Sequence, residues 1–362
     1  MIKYIGSKRV LVPFISDVVG ALSRGGSVLD LFSGTSRVGH ALKNRGHTVI
    51  SNDLNRYAHT LATCYVQADA EDVVDEAQAW LDKLSKLPGK RGYFTRTFCE
   101  ESRFFQPKNG QRVDAIRTAI QEAALPTELE AVLLVSLMEA ADRVDSTTGV
   151  QMAYLKQWAR RSHNDLELRL PKVLPRGRGK SRALCADALQ TAREVSCDIA
   201  YLDPPYNQHK YLGNYHIWET LVRWDAPEPY GKACKRIDCK QRKSPYNSKR
   251  QIHEALAAVV DTLDAEHLVV SFSNEGFVNR DEMIQLLSRR GPVWVLARPY
   301  KRYVGAQIGI HNPSGDKVGE VSHLSNKEFV FVVPSDPKAE RRLLQTAPDG
   351  LRWSRPDGQA LF

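Results

Sequence analysis

Short apolar runs alternating with longer amphipathic stretches set the pattern of this chain. Runs at residues 27–31, 48–51, 199–202, 267–272, 293–297 and 328–333 are apolar without strict alternation. That is the pattern of strands covered on both faces. Helical periodicity falls between most of them, at 37–45, 251–263 and 280–290. Strand alternating with helix predicts a doubly wound α/β fold on a mostly parallel sheet, with the last two runs forming an antiparallel hairpin at one edge. Two segments break the rhythm. Residues 67–182 carry helical patterns at 71–84, 113–122 and 128–144 and few strand signals, which predicts a mainly helical inserted subdomain. Residues 207–250 follow a strand directly and are aromatic, polar and basic, as an ordered loop region would be. The chain thus divides into 1–66, 67–182, 183–335 and a tail at 336–362.

Composition narrows the class. With 42% hydrophobic and 26% charged residues the chain suits a globular protein, and no run nears the roughly 20 apolar residues that cross a bilayer. The opening MIKYIGSKRV has neither the apolar core nor the cleavage site of a signal peptide. Six cysteines lie scattered without a CxxC pair. Reduced thiols, a cytoplasmic home and no membrane partner are the expectation. Cys234 and Cys239 with His209 and His216 match no standard zinc spacing, so no metal is expected.

Charge points to a polyanion. The net +9 comes from 51 basic and 42 acidic residues, and phosphate binding by lysine and arginine releases counterions. Residues 172–182 hold five basic side chains and no acidic one; residues 232–250 hold eight against Asp238 alone. Arg176, Arg178 and Lys180 in the first loop, and Lys235, Arg236 and Lys249 in the second, are expected at phosphates, a solvated loop being the plainer alternative. Tyr300, Lys301, Arg302 and Tyr303, with Arg298, interleave rings and cations as nucleic-acid surfaces do. Ordinary packing tyrosines on a hairpin are an equal competitor there.

Three segments carry chemistry. Asp30-Leu31-Phe32-Ser33-Gly34-Thr35-Ser36 runs from a strand through a tight small-residue turn into a helix, presenting backbone N–H groups to a ligand. It lacks the strict GxGxxG fingerprint. Asp53 ends the next strand 19 positions after Gly34, where a carboxylate can hold both ribose hydroxyls or cap a helix. Together these suit an adenosine-containing cofactor, nicotinamide or sulfonium. Asp203-Pro204-Pro205-Tyr206, directly after a buried strand, is the most specific. Asp203 and the Pro204 carbonyl can accept the two hydrogens of a planar amine, and Tyr206 offers a stacking face for an extruded base.

With these residues the chain resembles the Dam-like, or D12-class, DNA adenine N6 methyltransferases over nearly its whole length. The resemblance implies a class I S-adenosylmethionine-dependent fold with a helical target-recognition insert. Lys3-Tyr4-Ile5-Gly6-Ser7-Lys8 is similar to the family's N-terminal motif, implying Tyr4 and Lys8 against the cofactor. The segment from Asp30 to Ser36 resembles the FxGxG-type loop, with Ser36 for the second glycine. Asp53 and Leu54 take the ribose motif, Asp187 the position contacting the cofactor's adenine, and Asp203 to Tyr206 the catalytic tetrapeptide. Phe104-Phe105, Asn109, Asp114-Ala115-Ile116-Arg117, Asn214-Tyr215-His216, Glu219-Thr220-Leu221 and residues 244–249 resemble family segments implied to contact DNA or shape the base pocket. The expected substrate is double-stranded DNA, and the expected protein a monomeric modification enzyme with a cognate restriction endonuclease. An orphan regulatory enzyme, a methyltransferase for cytosine N4 or RNA adenine, a nicotinamide oxidoreductase and an inactive DNA-binding module are the rival readings.

Overall fold

The computed structural model describes residues 1–301, 310–311, 317–319 and 325–355, those from 300 to 325 by backbone alone. Seven strands build the main sheet: β1 Ser27–Asp30, β2 Thr48–Asn52, β3 Arg182–Leu184, β4 Ser196–Leu202, β5 Asp264–Ser273, β6 Trp294–Lys301 and β7 Ser325–Val333. Their spatial order is β3-β2-β1-β4-β5-β7-β6. β2 with β3, β1 with β4 and β4 with β5 run parallel, whereas β7 is antiparallel to both its neighbours. The doubly wound, mostly parallel α/β fold is thereby seen.

The continuous apolar runs have their physical cause here. Ile199, Ala200, Tyr201 and Leu202 are each at most 1% exposed, so both faces of β4 are covered. The runs at 293–297 and 328–333 do pair antiparallel, Phe331 opposite Val295. Of these two strands β6 is the one at the edge, because β7 inserts between it and β5. β3 is not among the expected strands; its three residues, one exposed and two half-buried, leave no apolar run to find.

The helices expected at 71–84, 113–122 and 128–144 are Ala70–Ser85, Pro107–Glu122 and Thr127–Arg143. The second starts six residues early because Pro107 opens it. By contacts the chain forms two compact units, each continuous in space but not in sequence. The first comprises Met1–Ser7, Phe32–Ala188 and His209–Lys243; the second comprises Lys8–Leu31, Leu189–Gln208 and Ser244–Phe362. The helical segment therefore shares a unit with β2 and β3. The segment expected as a tail at 336–362 begins instead with a docked helix, Pro337–Leu344. Asp336 caps it, and Arg342 donates to the carbonyls of Ala21 and Leu22. Among the described residues no helix is long and apolar enough to cross a membrane.

Candidate active site

In the second unit, β4 ends at Leu202, buried, and is followed directly by half-buried Asp203. Asp203 Oδ1 lies 3.1 Å from Lys8 Nζ, which also donates to Glu328 Oε2 at 3.2 Å; the side chains are 20%, 5% and 8% exposed. Burial pushes Asp203 up to about 6, against the pull of Lys8 and with a further push from Glu328. The two carboxylates outweigh desolvation at Lys8 and hold its ammonium charged. The ring of Tyr206 lies 6.0 Å from that ammonium and 5.5 Å from Phe272, tilted by 58°. Burial lifts its phenol to about 12, so it stays neutral. Pro204 is buried and Pro205 half-buried. The loop is pinned behind them, Tyr206 accepting from Phe277 N–H at 2.8 Å and Asn207 from Asn247 Nδ2 at 2.7 Å. Asp30 ends β1, buried, one residue before Leu31 donates to the Tyr201 carbonyl.

The first unit holds the small-residue turn. Gly34 has φ +50° and Ser36 φ 58°, both left-handed. The Ser33 N–H donates to Asn52 O at 2.9 Å and the Gly34 N–H to Asp53 Oδ2 at 3.1 Å. Asp53 Oδ1 takes the backbone and side-chain N–H groups of Asn55, and burial raises its pKa. The carboxylate thus braces the turn, and Asn55 rather than Asp53 directly precedes the helix Arg56–Ala62. Thr35 is buried and Phe32 half-buried, while Leu54 is 48% exposed. Asn52 exchanges side-chain bonds with the backbone of Ala186, fixing the segment from which exposed Asp187 emerges.

Tyr4 belongs to this unit and is sandwiched between rings. Its centroid is 4.4 Å from Tyr215 and 5.2 Å from Tyr211, with planes within 14° and 12°, and its hydroxyl meets that of Tyr57 at 3.0 Å. Ile5 N–H donates to the Tyr215 hydroxyl. A side chain at Gly34 would meet Tyr4 at 3.4 Å. Ser33 Oγ and Ser36 Oγ are buried with no hydrogen-bond partner among the described residues. Unanswered hydroxyls on a glycine turn, with a braced carboxylate and an exposed leucine beside it, suit a ribose-bearing cofactor with a polar tail.

Several DNA-contact expectations meet a different geometry. Arg176 donates to Asp69 and Asp72, and Lys180 to Asp69 and Glu128, so acids from outside their loop neutralise both. Arg236 is a correction: it is 2% exposed and forked onto Asp225 and Asp238, a buried structural cation closed to phosphate. Lys235 Nζ lies 3.1 Å from Met152 Sδ, and Arg178 and Lys249 are exposed. Lys301 is described by its backbone, at the end of β6; Arg302 and Tyr303 lie outside the described residues.

The family-like segments of the insert are also internal. Asp114 accepts from Gly92, Phe94 and Thr95, while Arg117 donates to the carbonyls of Leu221 and Val222. Phe104 and Phe105 are core. Buried His216 meets the Gln151 carbonyl at 3.0 Å and is pushed down to about 3 by desolvation, so it stays neutral. Sequence reasoning missed Tyr57 and the place of Glu328 beside Lys8. A carboxylate opening the apolar run 328–333 was the available signal for Glu328.

A seven-stranded sheet with an Asp-Pro-Pro-Tyr strand end and a braced glycine turn defines a nucleobase amino-methyltransferase. The family model for D12 class N6 adenine-specific DNA methyltransferase matches residues 4–285, and the chain belongs to that family. Among curated relatives, the Type II methyltransferase M.NlaIII of Neisseria lactamica is 29% identical over 338 residues, covering 90% of this chain and 99% of its own. Modification methylase StsI of Streptococcus sanguinis is 30% identical over 325 residues, 84% of this chain and 49% of its own, so the chain spans about half of that relative. The Type II methyltransferase M.CviAII of Paramecium bursaria Chlorella virus 1 is 26% identical over 83% of this chain and 92% of its own. The chain is a site-specific DNA adenine methyltransferase that draws on a methyl donor, and the nicotinamide and inactive-module readings fall with that membership.

Proposed function

We propose that this enzyme moves the methyl group of S-adenosylmethionine to N6 of an adenine turned out of double-stranded DNA, as the modification half of a restriction-modification pair. The observation that carries the reading is Asp203: a half-buried carboxylate at a strand end, paired with Lys8 and followed by two residues without N–H groups.

The donor would be held by Tyr4, Asp30, the turn from Phe32 to Ser36, Asp53, Leu54 and Asp187. When bound, it supplies an electrophilic methyl on a sulfonium. The protein's part is alignment and hydrogen bonding. Asp203 accepts one N6 hydrogen and the Pro204 carbonyl the other, which keeps electron density on the amine nitrogen as it forms its new bond to carbon. Tyr206, neutral and braced by Phe272, gives the adenine a face to stack on. The amine's surplus proton leaves after transfer, and Asp203, poised at about 6, can take it first. Exposed Lys249, with Arg178, Lys301, Arg302 and Tyr303, is assigned to DNA.

The paired nuclease follows from what the relatives are called, modification methylase and Type II methyltransferase. A monomer suffices to act on one strand at a time, and a DNA substrate suits a cytoplasmic site of action. Asp203→Ala is expected to retain cofactor binding by calorimetry and to lose at least about a thousandfold in methyl transfer, the scale of removing a transition-state contact and misplacing the amine. Wild-type turnover in that variant would refute the assignment. Base analysis of methylated DNA separates N6-methyladenine from N4-methylcytosine, and RNA substrates test the remaining rival.

A further inference from the structure

The charge beside Asp203 is lopsided. Asp203 and Glu328 share one ammonium, and Lys8 alone would neutralise Asp203. A second buried carboxylate is costly unless something offsets it. Glu328 also sits where the strand is otherwise core, since Phe329 to Val333 are at most 8% exposed. Lys8 Nζ donates to one oxygen of each carboxylate, Asp203 Oδ1 and Glu328 Oε2. Freed from Glu328, the ammonium could turn wholly onto Asp203, occupying the lone pairs that an amine must find.

We propose that Glu328 is a positioning residue for methyl transfer: by holding Lys8 in part away from Asp203, it keeps that carboxylate available as an acceptor for the adenine amine. This rests on the reading of Asp203 given above. The titratable groups facing the cluster are Lys8 from the N-terminal segment, Glu328 from β7, Tyr201 from β4, Asp30 from β1, Tyr206 and Glu275. Of these, Glu328 is the anion that raises Asp203 directly. Removing its charge lowers the Asp203 pKa, so the ionised form persists to lower pH. It also hands the whole ammonium to Asp203, so the plateau rate falls. A purely structural defect would lower the rate and leave the acid limb where it was.

The test is the pH profile of kcat for Glu328→Gln, Glu328→Asp and the wild type, with KM for DNA and calorimetric Kd for S-adenosylmethionine. Glu328→Gln is expected to lose about tenfold in plateau kcat, the scale of one displaced charge-assisted hydrogen bond. Its acid limb should move to lower pH while KM and Kd stay within about twofold, since those report binding rather than the transition state. Glu328→Asp, which keeps the charge on a shorter stem, should fall between the two. If Glu328→Gln does not fold, the aspartate variant decides alone: a partly shifted limb supports the proposal and an unmoved limb overturns it. An unchanged rate, or a slower one with an unmoved limb, in Glu328→Gln also overturns it. Asp203→Ala is assayed alongside. If it is active, both readings fall; if it is inactive beside a silent Glu328→Gln, only this one does.

Discussion

The two compact units carry groups built from opposite materials. In the second unit, Lys8, Asp203 and Glu328 are ionised groups held in a buried setting, and their worth lies in mutual electrostatics. In the first unit, Tyr4, Tyr57, Tyr211 and Tyr215 form a neutral aromatic block in which burial pushes the Tyr4 and Tyr57 phenols well above their usual range. Rings packed in parallel tolerate changes of pH and salt; an ion cluster does not. The comparison teaches that, on the function proposed above, grip and chemistry fall to different materials: titration-proof rings for the first and adjustable charge for the second.

The sharpest way to break this contrast is at Lys8. Lys8→Met leaves two uncompensated carboxylates and is expected to cost about 3 kcal/mol of stability, read as a loss in urea midpoint; a neutral result would mean the cluster is not electrostatically coupled. Next, Tyr4→Ala empties the middle of the ring stack. About 2 kcal/mol of stability should go with it, near the lower end for a large side chain, together with weaker donor binding. Equal donor affinity would remove Tyr4 from the cofactor's contacts. Between pH 7 and 5 the rate should fall about tenfold, because Asp203, poised at about 6, loses its acceptor as it protonates. Over that range Tyr4→Phe should follow the wild-type profile, at a cost of about 1 kcal/mol or less for the Tyr57 hydrogen bond. The smallest effect is expected at Arg176→Ala, whose partners are Asp69 and Asp72. The salt slope of DNA affinity should stay put there, and fall by about one for Lys249→Ala. A reversed order would return Arg176 to the DNA surface.

The pattern of the chain exposed what rests on local periodicity. Strands such as β4 and β5 are legible because consecutive side chains are buried on both faces, and Asp203 to Tyr206 because their residue types are rare in that order. What stayed hidden depends on partners far along the chain. Arg176 and Lys180 read as free cations because Asp69, Asp72 and Glu128 lie 52 or more positions away. Glu328 read as the first residue of a strand, since nothing near it in sequence reveals Lys8. Ser36 departed from the glycine of the family loop, yet it adopts the left-handed backbone that glycine would take freely, at a cost of about 1 kcal/mol.

Glu328 meets Lys8 across 320 positions, and the strand that carries it is threaded between two older ones. During synthesis, the tetrapeptide and the turn emerge from the ribosome more than a hundred residues before that strand does. A nascent enzyme therefore carries every recognisable motif while lacking one corner of its charge cluster. Its activity would be withheld until the sheet receives its last-made member.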